Sequence, residues 1–182
     1  MLSESHTNTI LKVVFDQGQN ERFATISSDG TIKVWDLAEY AVISTSFARK
    51  EQDRGAYPLS LAFANILFSG WSDGRVLAYS AETGENLWML ENAHPGGVTS
   101  LVLAYNRRFI LTGGPQGEVR LWELRTRELI SHLKEHKQKI TNIRLYKDDT
   151  LAVSGSRDRC LLRWDLRNEV RFFFFWKVSK LF

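Results

Sequence analysis

Apolar residues in this chain come in short runs, and within most runs they alternate with polar ones. "TIKVWD" (31–36), "RVLAYS" (75–80) and "EVRLWE" (118–123) show the pattern, and a matching run follows at 160–165. A period of two places alternate side chains on opposite faces of a β-strand. Ahead of each lies another apolar run, at 22–27, 66–70, 108–113 and 150–155. The two are separated by Asp29-Gly30, Asp73-Gly74 or Gln116-Gly117 in the first three cases. Such pairs favour a tight hairpin, because Gly tolerates positive φ. A third run precedes these and a fourth follows them. The spacing of an amphipathic helix is absent throughout.

These groups of four runs repeat. Trp35, Tyr79, Trp122 and Trp164 occupy equivalent positions, separated by 44, 43 and 42 residues. Each group predicts a four-stranded antiparallel unit of the length of a propeller blade. The predicted strands are 9–15, 22–28, 31–36 and 41–47 in blade one, and 58–64, 66–70, 75–80 and 86–90 in blade two. Blade three takes 98–104, 108–113, 118–123 and 128–133, and blade four 140–146, 150–155, 160–165 and 169–176. With their outer strands the blades occupy about 6–47, 48–91, 94–133 and 136–176, within a repeat region of 1–170. The expected fold is all-β, a propeller with four blades present and its ring open. Asp29-Gly30 is then a turn between strands. A calcium loop needs several oxygen ligands at alternate positions, and a phosphate loop needs more glycines ahead of a helix.

Composition narrows the class. The chain has 182 residues, 43% apolar and 25% charged, ordinary values for a soluble globular protein. No apolar run approaches the roughly 20 residues of a membrane-spanning helix, and the N-terminus lacks a basic segment ahead of an apolar one. Cys160 is the single cysteine, so no internal disulfide forms, which fits a reducing compartment. The net charge of +3 is uneven: residues 1–119 hold 9 Lys+Arg against 13 Asp+Glu, and residues 120–182 hold 15 against 8. No basic run is interleaved with aromatics, which argues against nucleic-acid binding.

The repeats resemble the WD-repeat family of β-propellers. The resemblance implies a hydrogen-bonded tetrad in each blade, made by a third-strand Trp, a second-strand Ser or Thr, a turn Asp and a His ahead of the first strand. By offset, blade one supplies His6, Thr25, Asp29 and Trp35, and blade four His136, Ser154, Asp158 and Trp164. Blade three has His94, Thr112 and Trp122, with Gln116 in place of the acid. Blade two has Ser69 and Asp73, Tyr79 in place of Trp, and no His, so its tetrad is expected to be broken. Trp35 and Trp164 are expected to be buried. Ser, His and Asp also form hydrolase triads, but catalysis needs one set beside a pocket, whereas this set recurs at blade spacing. Three of the four histidines, His6, His94 and His136, fall on the tetrad position, one each in blades one, three and four, too far apart for a shared metal. His132 reads as a surface or packing residue and Cys160 as a buried small one. No catalytic residue, metal or cofactor is expected.

Three segments are more particular: "SGWSDGRVLAYSAETGENLWMLENAHPGGVTSL" (69–101), "ILTGGPQGEVRLWEL" (110–124) and "LKEHKQKITNIRL" (133–145). In order and spacing they resemble the WD-repeat members of the cilia- and flagella-associated proteins, over residues 6–169. The resemblance implies part of the second of two propellers, and a non-catalytic structural role inside axonemal doublet microtubules. Expected partners are tubulin and other axonemal proteins, without nucleic acid, membrane or small-molecule substrate, in the cytoplasm, cytoskeleton and cilium. The alternative is a WD adaptor of a ubiquitin-ligase or signalling complex. Lys137, Lys139, Arg144, Lys147, Arg157 and Arg159, near blade four, are candidate contacts for an acidic partner. Family propellers have seven blades, and the aromatic tail 171–182 fits no repeat. It is either a drifted fourth strand or a read-through segment.

Overall fold

The computed structural model describes residues 5–18, 21–47, 55–146, 148–167 and 176–177, and every regular element among them is a strand. The chain divides into two compact units, Met1–Val98 and Thr99–Phe182. In the first, β1 (Ile10–Phe15), β2 (Arg22–Ser27), β3 (Thr31–Asp36) and β4 (Val42–Phe47) form one antiparallel sheet in chain order. β5 (Pro58–Ala64), β6 (Ile66–Trp71), β7 (Val76–Ser80) and β8 (Asn86–Leu90) form a second. The second unit repeats the arrangement. β9 (Ser100–Leu103), β10 (Phe109–Gly113), β11 (Glu118–Glu123) and β12 (Leu129–Lys134) make one sheet. β13 (Ile140–Leu145), β14 (Leu151–Ser156), β15 (Cys160–Asp165) and β16 (Trp176–Lys177) make the other.

The predicted strands lie within two residues of these, except the last. Trp176–Lys177 pairs with β15, so two residues of the aromatic tail supply the fourth strand of its sheet. The rest of 168–175, residues 178–182 and Lys147 lie outside the described residues.

Each unit has its own core, between the facing sides of its two sheets. In the first, Ala24, Ile26, Ile32 and Val34 meet Leu61, Phe63, Leu67 and Trp71. In the second, Leu111, Val119 and Leu121 meet Ile140, Ile143, Ala152, Leu162 and Trp164. Fully burying one such aliphatic side chain contributes about 1.5–3 kcal/mol. The opposite side of the first sheet carries a row of aromatics, Phe15, Phe23 and Trp35, with Phe23 stacked on Trp35 at 6.0 Å and Phe15 59% exposed. Trp35 on this side is half-buried rather than buried as expected, whereas Trp164 faces a core and is 3% exposed. Cys160, expected to be buried, is half-buried at the start of β15.

Buried carboxylates tie neighbouring sheets together. Asp16, 1% exposed, accepts the Arg22 guanidinium at 2.9 Å and the amides of Gly18 at 2.9 Å and Asn65 at 3.1 Å. Asn65 belongs to the β5–β6 turn, so one acid joins blades one and two. Asp149, in the β13–β14 turn, accepts the amides of Tyr105 at 2.8 Å and Asn106 at 2.7 Å from the β9–β10 turn.

The turn between second and third strands needs a left-handed residue in every blade. Gly30, Gly74 and Gly117 take φ of 85°, 92° and 88° there, but blade four places Arg159 at 70°. A Cβ on Gly117 would lie 2.1 Å from the carbonyl oxygen of His136, so that glycine is required by space as well as by φ. The left-handed conformation costs a non-glycine residue about 1–2 kcal/mol. Replacing Arg159 by Gly is expected to raise the unfolding free energy by about 0.5–1 kcal/mol, the strain relief less the added chain entropy. Gly117→Ala is expected to lower it by about 2 kcal/mol or more. Urea denaturation of the two variants checks both signs.

Candidate functional site

In blade one the hairpin β2–β3 brings Thr25 opposite Lys33, two residues before Trp35 and so on the same face, and the chain entering β1 lays His6 within hydrogen-bond reach of Thr25. The Trp35 indole donates to Thr25 Oγ1 at 2.8 Å. Thr25 Oγ1 lies 2.7 Å from His6 Nε2, and His6 Nδ1 lies 3.0 Å from Asp29 Oδ2. A carboxylate only accepts, so Nδ1 carries the proton, and in the neutral ring Nε2 accepts from the Thr25 hydroxyl. The proton order therefore runs from indole to hydroxyl to imidazole to carboxylate.

Blade four repeats it. Trp164 donates to Ser154 Oγ at 2.8 Å, Ser154 Oγ lies 2.8 Å from His136 Nε2, and His136 Nδ1 lies 2.9 Å from Asp158 Oδ2. Both acids also hold backbone. Asp29 accepts the amides of Thr7 and Thr31, each at 2.9 Å, and the Thr31 hydroxyl at 2.7 Å. Asp158 accepts the amides of Lys137 and Cys160, each at 2.9 Å. Burial works against the charge on Asp29 and Asp158, but these hydrogen bonds outweigh it and hold both carboxyls below the ordinary value of 3.8.

Blades two and three differ. Ser69 Oγ receives its indole from Trp71, at 2.7 Å, while the Tyr79 hydroxyl turns to the carbonyl of Phe47 at 3.4 Å. Trp71 sits two residues beyond Ser69 on the same strand, hence on the same face, a signal that comparison by fixed offset from the third-strand aromatic passes over. Asp73 pairs with Arg75, whose Nε lies at 2.7 Å. In blade three Trp122 donates to Thr112 Oγ1 at 2.8 Å, and Gln116 is exposed. His94 lies in the first unit, where its amide donates to the carbonyl of Gly74 at 3.2 Å.

In blades one and four the hydroxyl beside the histidine is already bonded to an indole as well as to the imidazole. Ser154 is fully buried and already bonded to both Trp164 and His136. A cleft of about 180 Å³ in the first unit, lined by Phe47, Tyr79, Glu85 and Asn86 among others, contains no histidine. Among the described residues no group of three or more His, Cys, Asp and Glu side chains is placed to hold a metal, and no helix is long and apolar enough to cross a membrane. Of the candidate contacts, Lys137, Arg144, Arg157 and Arg159 are exposed and Lys139 is half-buried. His132 is exposed on β12, and burial followed by the charge of Arg120 pushes its imidazole below the usual range.

Four-stranded antiparallel sheets in chain order, each with an indole pinned to a second-strand hydroxyl, define a WD-repeat β-propeller chain. The chain belongs to the Vps8 beta-propeller family, whose model matches residues 33–161, and the WD domain, G-beta repeat, matches residues 2–36. Among curated proteins it is similar to human Cilia- and flagella-associated protein 52, 29% identical over 168 residues, and to the Bos taurus protein of that name, 30% identical over 175. It is also similar to a Coronin-like protein of Saccharomyces cerevisiae, 27% identical over 192 residues. The human alignment covers 91% of this chain but 27% of the relative, so the chain spans about a quarter of that protein's length. A crystal structure of the computationally designed Ika8 protein shares the fold with a TM-score of 0.77, at 24% identity, over 92% of this chain and 49% of that one.

Asp29 and Asp158 have lowered folded-state values, so the stability they contribute is present above the unfolded value and lost as pH falls through the folded one. Unfolding free energy is expected to drop as pH falls below about 4. The Asp29→Asn/Asp158→Asn double variant should be weaker at pH 7 and show a shallower acid decline. Urea titrations at pH 7, 4 and 3 read both effects.

Proposed function

We propose that this chain is a non-catalytic structural module of the ciliary or flagellar axoneme, bound to the wall of the doublet microtubule as an inner protein or as part of one. The observation that carries the reading is the similarity to Cilia- and flagella-associated protein 52 over 91% of the chain, seen with the human, bovine, porcine, murine and Chlamydomonas reinhardtii proteins. The local chemistry supports it, because the His, hydroxyl and Asp groups that resemble a triad are used in holding their own blades. Tubulin is the proposed partner, with Lys137, Lys139, Arg144, Arg157 and Arg159 as contacts for its acidic surface.

A second reading, a WD-repeat adaptor of a soluble ubiquitin-ligase or signalling complex, is kept because the chain is also similar to proteins not named for cilia, the Coronin-like protein and human Striatin-4, 24% identical over 173 residues. Fractionation separates the two. The chain, tagged in ciliated cells, is expected to remain with doublets after salt extraction and to bring tubulin into a crosslinked pull-down. Recovery only in the soluble fraction, with kinase or ligase subunits as neighbours, rejects the axonemal reading in favour of the second.

A further inference from the structure

One row of side chains distinguishes blade four. In each sheet, three paired residues cross the first three strands on the side away from the third-strand aromatic. They are Val14, Ala24 and Val34 in blade one, Ala62, Phe68 and Ala78 in blade two, and Val102, Leu111 and Leu121 in blade three. All nine are apolar. In the first unit this row of blade one packs on blade two, and in the second unit that of blade three packs on blade four. The corresponding row in blade four is Arg144, Val153 and Arg163. All three are exposed, Val153 by 42%, and Leu161 and Tyr146 beside them by 44% and 63%.

The hairpin turn departs in the same way. Where blades two and three have Gly74 and Gly117, a Cβ would lie 2.1 Å from the carbonyl of the histidine that leads into the next blade. Blade four has Arg159 at this position, left-handed and exposed. Two features of this face thus differ from the corresponding positions of the other blades: arginines replace valine, alanine or leucine in the row, and a side chain replaces the glycine at the turn.

We infer that the outward face of blade four, centred on Arg144, Val153 and Arg163, docks an acidic protein segment whose carboxylates flank an apolar residue. Arg144 spends one Nη on its own strand, on Asn142 Oδ1 at 2.9 Å and the Ile143 carbonyl at 3.2 Å, and has no carboxylate partner among the described residues. Asp165, at the edge of the same face, is held by the Arg167 amide at 2.9 Å and lies 3.7 Å from its Nε. The surrounding unit is basic, with 17 Lys+Arg against 9 Asp+Glu over residues 99–182. The two arginines stand two strand spacings apart, about 10 Å, a separation that Glu residues three apart span on one side of a polyproline II segment, which turns every three residues with a rise of about 3.1 Å. A guanidinium takes a carboxylate in a two-point fork. The aliphatic Val153 and Leu161 between and beside the arginines match a partner's apolar side chain better than the sugar-phosphate backbone of a nucleic acid.

The inference does not depend on the axonemal reading and is tested on the full chain with a defined probe. The probe is a fluorescein-labelled 12-residue peptide with Glu at every third position and Val and Ser between. Anisotropy is expected to show saturable binding that Arg144→Glu/Arg163→Glu weakens by about tenfold or more. Arg144→Gln/Arg163→Gln, which keeps shape and removes charge, should weaken it in the same direction, with unchanged thermal unfolding reporting an intact fold. The charge-matched Arg107→Glu/Arg125→Glu variant, at exposed positions of the same unit away from this face, should bind within about twofold of the parent. Equal loss in that control, equal binding of the Gln-for-Glu peptide, or tighter binding of a 12-nucleotide oligothymidine each overturns the assignment.

Discussion

Burying an indole N–H removes it from water, and a buried donor left without an acceptor costs about 1–3 kcal/mol. For four tryptophans, one in each blade, the acceptor is a second-strand hydroxyl: Thr25 for Trp35, Ser69 for Trp71, Thr112 for Trp122 and Ser154 for Trp164, at 2.7–2.8 Å. A hydroxyl that accepts from an indole has its own proton to place, and in blades one and four a histidine takes it. The histidine then has an N–H to give, and the turn aspartate takes that. Each member creates the requirement that the next one meets, and the last of them also fixes the backbone of the turn. The hairpin, the entry into the first strand and the third-strand aromatic are thereby held by one chain of hydrogen bonds.

Blade two shows that the requirement lies with the buried groups and not with a fixed set of positions. Tyr79 brings no indole, and Ser69 takes one from Trp71 on its own strand instead. Beside the Asp73 carboxylate lies Arg75, whose Nε is 2.7 Å from it. Both substitutes come from within six residues of the groups they satisfy. The blade keeps its sheet register and is among the most thoroughly buried parts of the chain, with Trp71 at 0% and Tyr79 at 1% exposure.

Most of the fold was legible because it rests on local signals. Alternation marks the strands, Gly after a polar residue marks the hairpins, and near-constant spacing from Trp35 to Trp164 marks the blades. The hydrogen-bonded groups of blades one and four lie at the same set distances along the chain from Trp35 and Trp164 that the sequence comparison used. Trp71 was missed because it departs from those distances. Asp16 and Asp149 were missed because their partners, Asn65 and Tyr105, lie more than 40 residues away and are backbone amides, which any residue type supplies. Half-burial of Trp35 was missed because a Trp in a strand does not reveal whether a second sheet covers its face. The short β16 follows from composition only weakly, since a run of phenylalanines specifies no register.

The contrast between blades two and four separates two kinds of departure from a repeat. In blade two each missing group is replaced nearby, so the outcome is the same satisfied interior reached by other residues. In blade four the interior is intact, with Trp164, Ser154, His136 and Asp158 all in place, and the departures lie on the outward side. Arg144, Arg159 and Arg163 stand where the other blades have apolar residues or glycine, and Arg159 holds a left-handed φ of 70° that the fold itself does not reward. A substitution compensated inside the blade is explained by stability. Three substitutions to the same cation on one outward side, set around exposed aliphatic residues, are not explained that way, because solvated arginines add little to folding. Their chemistry fits the proposed acidic partner better than it fits the stability of their own sheet.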